Sequence, residues 1–329
     1  MQLYKNIRSY LYLTSSRLII YLSVLISIVS ATGSYKIDHL EPPFWWAGMA
    51  DDRLQILVHG EHISELVPEI SYPGVTVSEV NKIKNPNYLF INLKLSRNVD
   101  PGEIDIVFKR NRKTEIRYKY KILDREPNSA SRQGFSAKDV IYLITPDRYA
   151  NGNPNNDSNP KLKEKSNRKN KDGRHGGDLQ GIMENLDYIE KMGFTQLWLN
   201  PLLENDHPGF SYHGYSTTDY YNIDARYGSN DLYKELSRRA KDKNIGLIKD
   251  IILNHIGSEH WWMKDLPSED WINNKGKFKP TSHVHEVVHD PYATQTEKNA
   301  YTDGWFVRTM PDLNQRNSFL TTYLIQCTI

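Results

Sequence analysis

The sequence predicts two folds in series, a β-sandwich of immunoglobulin-like architecture over residues 35–124 and an α/β fold over residues 139–329. Three observations carry this. Short alternating strands separated by turn residues fill the first region, the pattern of a sandwich. Strands alternating with helical repeats fill the second, the pattern of a parallel sheet, doubly wound or closed as a barrel. Between them runs a polar linker, residues 125–138, which opens Arg125-Glu126-Pro127-Asn128-Ser129.

The chain begins with Lys5, Arg8 and Arg17 ahead of an apolar run over residues 18–29, and Val29-Ser30-Ala31 supplies small residues for cleavage after Ala31. That run is short for a membrane span. Residues 1–31 therefore read as a bacterial Sec-type signal peptide, with no span left after its removal. Cys327 is the single cysteine, so no intramolecular disulfide forms and no lipid-attachment cysteine follows the cleavage site. A periplasmic or secreted protein is expected. Forty-two Lys and Arg against 40 Asp and Glu, a net charge of +2, give no reason to expect nucleic acid as a partner. The basic run from Lys161 to Arg174 is interleaved with Asn, Ser and Gly and lacks aromatics, as in a solvated loop. Twenty-one Tyr and seven Trp suit sugar binding, although Tyr also fills sandwich cores.

In the first region, residues 54–60, 88–93, 103–108 and 117–120 read as strands, and 85–87, 100–102 and 109–113 as turns. Phe44-Trp45-Trp46 reads either as an exposed sugar platform or as a strand packing its tryptophans between sheets. In the second region, strands are expected at 139–144, 195–199 and 247–253. Helices are expected at 179–191, with Ile182, Leu186 and Ile189 on one face, and at 231–242. From 256 to 315 the alternation stops, as in a subdomain inserted after the third strand. Residues 318–326 resume a helical pattern.

Asp250 is the anomaly in the third strand. A carboxylate in a buried strand is costly unless paired or used, and the C-terminal end of a barrel strand is where it has a use. Three other clusters lie in loops on the same side. Asn151, Asn153, Asn156 and Asp157, with Gly176 and Asp178 downstream, have the oxygens that Ca²⁺ requires, but also fit an Asx-rich turn and a helix cap. Tyr212-His213-Gly214-Tyr215 makes a wall of rings that suits a pyranose or mere packing. Met310-Pro311-Asp312-Leu313-Asn314 is a turn closing the insert. His283, His285 and His289 have a spacing that Zn²⁺ would accept.

Together these residues carry a resemblance. Asp250 to His255, Asp-x-x-x-Asn-His, resembles the first signature region of the α-amylase family of glycoside hydrolases. Tyr212 to Tyr215 resembles that family's wall around the reacting sugar, and Met310 to Asn314 its motif closing the insert. The likeness is nearest to the neopullulanase, cyclomaltodextrinase and maltogenic amylase group, whose N-terminal domain the sandwich resembles. It implies a (β/α)8 TIM barrel, a retaining α-glucan hydrolase acting on starch, maltodextrin, cyclodextrin or pullulan, and a calcium ion at Asn151, Asn153, Asn156, Asp157, Gly176 and Asp178. It also implies substrate contacts at His213, Tyr215, Asp250 and His255, and leaves a homodimer open. The family's nucleophile, acid and helper carboxylate follow strands four, five and seven, so none is expected before Ile329. The chain therefore reads as a truncated barrel lacking its catalytic carboxylates, the inactive front part of an exported hydrolase. The alternative is a non-catalytic α-glucan-binding protein.

Overall fold

A computed structural model describes residues 35–329; the signal-peptide reading lies outside the described residues. Eight strands build the N-terminal region: β1 (His39–Glu41), β2 (Phe44–Trp46), β3 (Arg53–His59), β4 (Val67–Ile70), β5 (Val75–Lys82), β6 (Tyr88–Leu95), β7 (Gly102–Arg110) and β8 (Lys113–Leu123). They form two four-stranded sheets, ordered β1-β3-β6-β5 and β2-β8-β7-β4. The β7–β8 turn has Asn111 and Arg112 at φ 49° and 67°, so both central residues are left-handed, as a two-residue hairpin requires.

Burial follows the strand period of two. On β7, Ile104, Ile106 and Phe108 are buried while Glu103, Asp105 and Val107 are not. The first sheet departs from this, because every residue from Leu54 to Val58 is buried. Ile56 and Val58, paired with Ile91 and Leu89, supply one buried face. Leu57, Tyr88 and Phe90 supply the other, and these three join the core of the α/β region. Trp45 is 4% exposed, whereas Phe44 and Trp46 point outward, their rings edge to face at 5.4 Å. The expectation of both tryptophans between sheets holds only for Trp45, since neighbours on a strand face opposite ways.

The second region holds a parallel sheet ordered β9 (Ile141–Ile144), β10 (Gln196–Leu199), β13 (Gly246–Lys249). Ile144, Leu197 and Leu199 are buried in the core shared with the helices. On the opposite face Leu143 and Trp198 remain 53% and 40% exposed. The third strand is shorter than expected: it ends at Lys249, so Asp250 lies just past it rather than inside it, and only one face of the sheet is covered among the described residues. The helices are α1 (Pro146–Tyr149), α2 (Leu179–Glu184), α3 (Leu186–Lys191), α4 (Asn230–Asp242), α5 (Gln295–Thr302) and α6 (Ser318–Gln326). The helix expected at 179–191 is broken at Asn185, whose Nδ2 donates to the Gly181 carbonyl at 2.7 Å while its backbone leaves the helical region (φ −105°, ψ 10°). A hairpin of β11 (Leu203–Glu204) and β12 (Asp219–Ile223), not anticipated from the sequence, encloses residues 205–218. The insert is closed by backbone bridges His255–Asp312 and Ile272–Leu313.

Residues Ile37–Ile329 form one compact unit. Asp265 of the insert accepts from Asn85 Nδ2 (2.6 Å), Asn87 Nδ2 (2.8 Å) and His59 Nε2 (3.1 Å). The ring of Trp261 stacks on His39 at 3.9 Å. At the far end, Gln326 Oε1 accepts from Gln55 N at 2.8 Å and its Nε2 donates to Gln55 O at 2.7 Å, so a side-chain amide continues the sheet where β1 has ended.

Candidate functional site

The three parallel strands deliver their C-terminal ends to one place. Asp250, one residue beyond β13, accepts from Trp198 Nε1 of β10 at 3.1 Å and from the Tyr215 hydroxyl at 3.3 Å. Its oxygen therefore joins β10, the end of β13 and the loop carrying Tyr215. Burial raises the Tyr215 phenol above its ordinary range, and the neighbouring Asp250 charge adds to this, so the hydroxyl stays protonated as a donor.

Gly214 makes the wall turn. It sits at φ 81°, directly after a one-turn 3-10 helix over Ser211–His213, and Tyr215 N donates back to His213 Nδ1 at 2.9 Å. An Nδ1 that accepts leaves the proton of a neutral imidazole on Nε2. Burial, reinforced by His207, holds His213 below the usual histidine range. His213 is thus a neutral ring with one N–H to offer, 5.7 Å from the ring of Tyr215, and Tyr212 is covered by Arg148 at 3.9 Å.

His255 is used differently. Its Nε2 donates to the Tyr215 carbonyl at 3.0 Å, and burial again keeps it neutral. This places His255 behind Tyr215 as a brace. Asn254 Nδ2 in turn reaches Asp312 at 3.1 Å, and Asn273 Nδ2 reaches the other oxygen at 2.8 Å. Burial outweighs these bonds and pushes the Asp312 carboxyl up to about 6. Trp198 and Asp312 were not singled out in the sequence for these contacts. Strand alternation places Trp198 on the face that ends at Asp250, so a period-two count along β10 was the available signal.

The six oxygen-bearing residues after β9 also gather. Asn151 Nδ2 donates to Asp157 Oδ1 at 2.7 Å, and Gly176 (φ 88°) lies so close to that carboxylate that a Cβ would meet it at 2.6 Å. Asn151 Oδ1 and Asn156 Oδ1 are buried with no partner. Asp178 does the work of a helix cap: it accepts from Gly181 N (2.7 Å), Gly152 N (3.0 Å), Asn153 N (2.9 Å) and Asn156 Nδ2 (3.3 Å). The Asn153 amide oxygen accepts from Asn155 N at 3.2 Å. Among the described residues no group of three or more His, Cys, Asp and Glu is arranged to hold a metal. A cation in this loop would therefore rely on amide and carbonyl oxygens beside Asp157.

Comparison with known proteins gives two matches in chain order. Residues 39–126 match the cyclomaltodextrinase N-terminal domain, and residues 143–328 match the α-amylase catalytic domain. The chain is similar to the beta/alpha-amylase of Paenibacillus polymyxa, 44% identical over 146 residues, covering 43% of this chain and 12% of that protein. It is also similar to the cyclomaltodextrinase of Geobacillus thermopakistaniensis (33% over 191 residues, 57% and 30% covered). A third relative is neopullulanase 2 of Thermoactinomyces vulgaris (30% over 187 residues, 56% and 30% covered). The chain thus spans less than a third of the length of these relatives. Because the catalytic-domain match covers more than half of its residues, and the cyclomaltodextrinase-type domain precedes it, the chain belongs to the α-amylase family.

Proposed function

We propose that this chain supplies the N-terminal domain and the first part of the catalytic barrel of an exported α-glucan hydrolase acting on starch, maltodextrin, cyclodextrin or pullulan with retention of configuration. The supporting observation is the convergence of Trp198, Tyr215 and Asp250 at the ends of parallel strands, beside the free N–H of His213. In this reading β9, β10 and β13 are the first three of eight barrel strands, and the two-sheet domain is the immunoglobulin-like module. His213 and Tyr215 meet the reacting glucose, Asp250 positions Tyr215, and His255 braces the wall from behind. Cleavage with retention needs two carboxyl groups about 5–5.5 Å apart, one as nucleophile and one as acid/base. The hydrogen-bond donors to Asp250 are an indole and a phenol. In this reading the pair of carboxyl groups is not among the residues assigned to the site, and the chain is expected to show no turnover.

The test is the purified chain incubated with starch, pullulan and cyclodextrins while reducing ends are measured, alongside a maltose titration. Maltose binding lost in His213→Ala, with no turnover, is expected. Turnover that disappears in Asp250→Ala would overturn the assignment of roles.

Calcium fits the loop after β9 through Asn151, Asn156, Asp157 and the Gly176 carbonyl, and the two unpartnered amide oxygens support it. The expected ligand set also includes Asn153 and Asp178, whose oxygens already accept from backbone amides of the loop and of α2. Bound there, the ion would pin the loop by neutralising Asp157. It would stay outside the chemistry, with modest affinity because few ligands are charged. A melting midpoint raised by calcium in the parent chain but not in Asp157→Ala is the expected result.

A further inference from the structure

Phe210 stands out on the rim of the wall loop. The residue is 58% exposed, yet its backbone lies in the left-handed region at φ 60°, ψ 12°. A bulky residue is strained there, and such strain persists only where the surroundings impose it. They do. Ser211, the next residue, donates its N–H to Glu164 Oε2 at 2.7 Å. Its carbonyl accepts from Arg174 Nη1 at 3.2 Å and from Asn205 Nδ2 at 3.3 Å. Glu164, Arg174 and Asn205 are all buried.

Arg174 also holds the facing wall, since its carbonyl accepts from Asn167 N at 2.8 Å. One buried arginine thus ties together both sides of a depression of about 520 Å³, rimmed by Phe210, Asn167, Asn170, Asp172 and Lys163. That volume lies within the range of small-ligand sites. Its lining sets Phe210 among Asn167, Asn170 and Asp172, an aromatic residue beside amides and a carboxylate, while the ammonium of Lys163 is paired with Glu259. Such a composition suits a pyranose with its C–H face and its rim of hydroxyls. Phe210 caps the 3-10 helix that ends at His213, three residues on.

We propose that Phe210 and this depression form a remote subsite that stacks and hydrogen-bonds a further glucosyl unit of an α-glucan bound at His213 and Tyr215. Glu164 and Arg174 act as positioning residues that hold the ring out. The inference rests on the sugar-binding reading above and adds a preference for longer chains.

The experiment titrates the full 329-residue chain calorimetrically with maltose and with maltoheptaose. The parent is expected to bind maltoheptaose at least tenfold more tightly. Phe210→Gly should bring maltoheptaose to within about threefold of maltose and leave maltose within twofold of the parent. Its thermal midpoint should not fall, because glycine adopts the left-handed backbone freely. Phe210→Trp should keep the preference. If Phe210→Gly retains the preference for maltoheptaose, or the parent shows none, the subsite is wrong although maltose binding through His213 stands. If the parent binds neither sugar, the reading of the wall and the subsite fall together.

Discussion

Replacing Gly214 with alanine should collapse the candidate site without altering any of the side chains proposed to meet the sugar. Gly214 sits at φ 81°, and an added Cβ would lie 2.0 Å from the Pro201 carbonyl oxygen and 2.8 Å from its carbon. Real Cβ contacts essentially never fall below 3.0 Å, so the loop must retreat by about 1 Å, and the opposing atoms are backbone with no rotamer to adjust. The left-handed conformation costs alanine about 1–2 kcal/mol. Overpacking against a fixed neighbour adds roughly 1–3 kcal/mol. The sum, about 2–5 kcal/mol, is a large part of a typical folding free energy of about 5–15 kcal/mol. Because Tyr215 follows directly and reaches Asp250 at 3.3 Å, a shift of that size also breaks the hydroxyl's bond to the carboxylate. Urea unfolding followed by tryptophan fluorescence gives the stability loss, and a maltose titration gives the loss of binding. A decrease below about 1 kcal/mol with unchanged maltose affinity would refute the claim that Gly214 sets the wall against β10.

Asp265→Ala should loosen the junction between the two-sheet domain and the insert. It strands three donors, Asn85, Asn87 and His59, and the side chain is about a third exposed, so about 2–3 kcal/mol is expected in urea unfolding. An Asn85→Ala background should absorb part of that loss, and full additivity in the double mutant would contradict a shared network. Asp312, raised to about 6 by burial, should make stability fall as pH rises. Below its ordinary value near 3.8 both folded and unfolded chains hold the proton. Between there and about 6 only the folded chain does, so the contribution is lost across that window, by at most about 3 kcal/mol. The stability of the parent relative to Asp312→Asn should therefore fall by up to about 3 kcal/mol from pH 4 to pH 7, and a difference independent of pH would count against a buried, protonated Asp312.

Local pattern alone determined much of this protein. Period-two alternation placed β3, β6, β7 and β8, and helical spacing placed α4 and α6 to within a residue or two. The order of Tyr212–Tyr215, Asp250–His255 and Met310–Asn314 marked the family, because each motif is short and contiguous. What the sequence left undecided depends on which chain segment lies opposite. Both faces of β3 are buried because a second domain covers the outer one, and no count along Leu54–Val58 announces that. Asn185 could have continued a helix, but its side chain took the Gly181 carbonyl instead. The bond from His255 Nε2 to the Tyr215 carbonyl, 3.0 Å long, spans 40 positions and is announced by neither motif alone. Trp198 and Asp250 are 52 positions apart and meet only because β10 and β13 are parallel neighbours in register. Alternation and contiguous motifs are written along the chain, whereas a hydrogen bond across strands exists only once hydrophobic burial has brought the strands together.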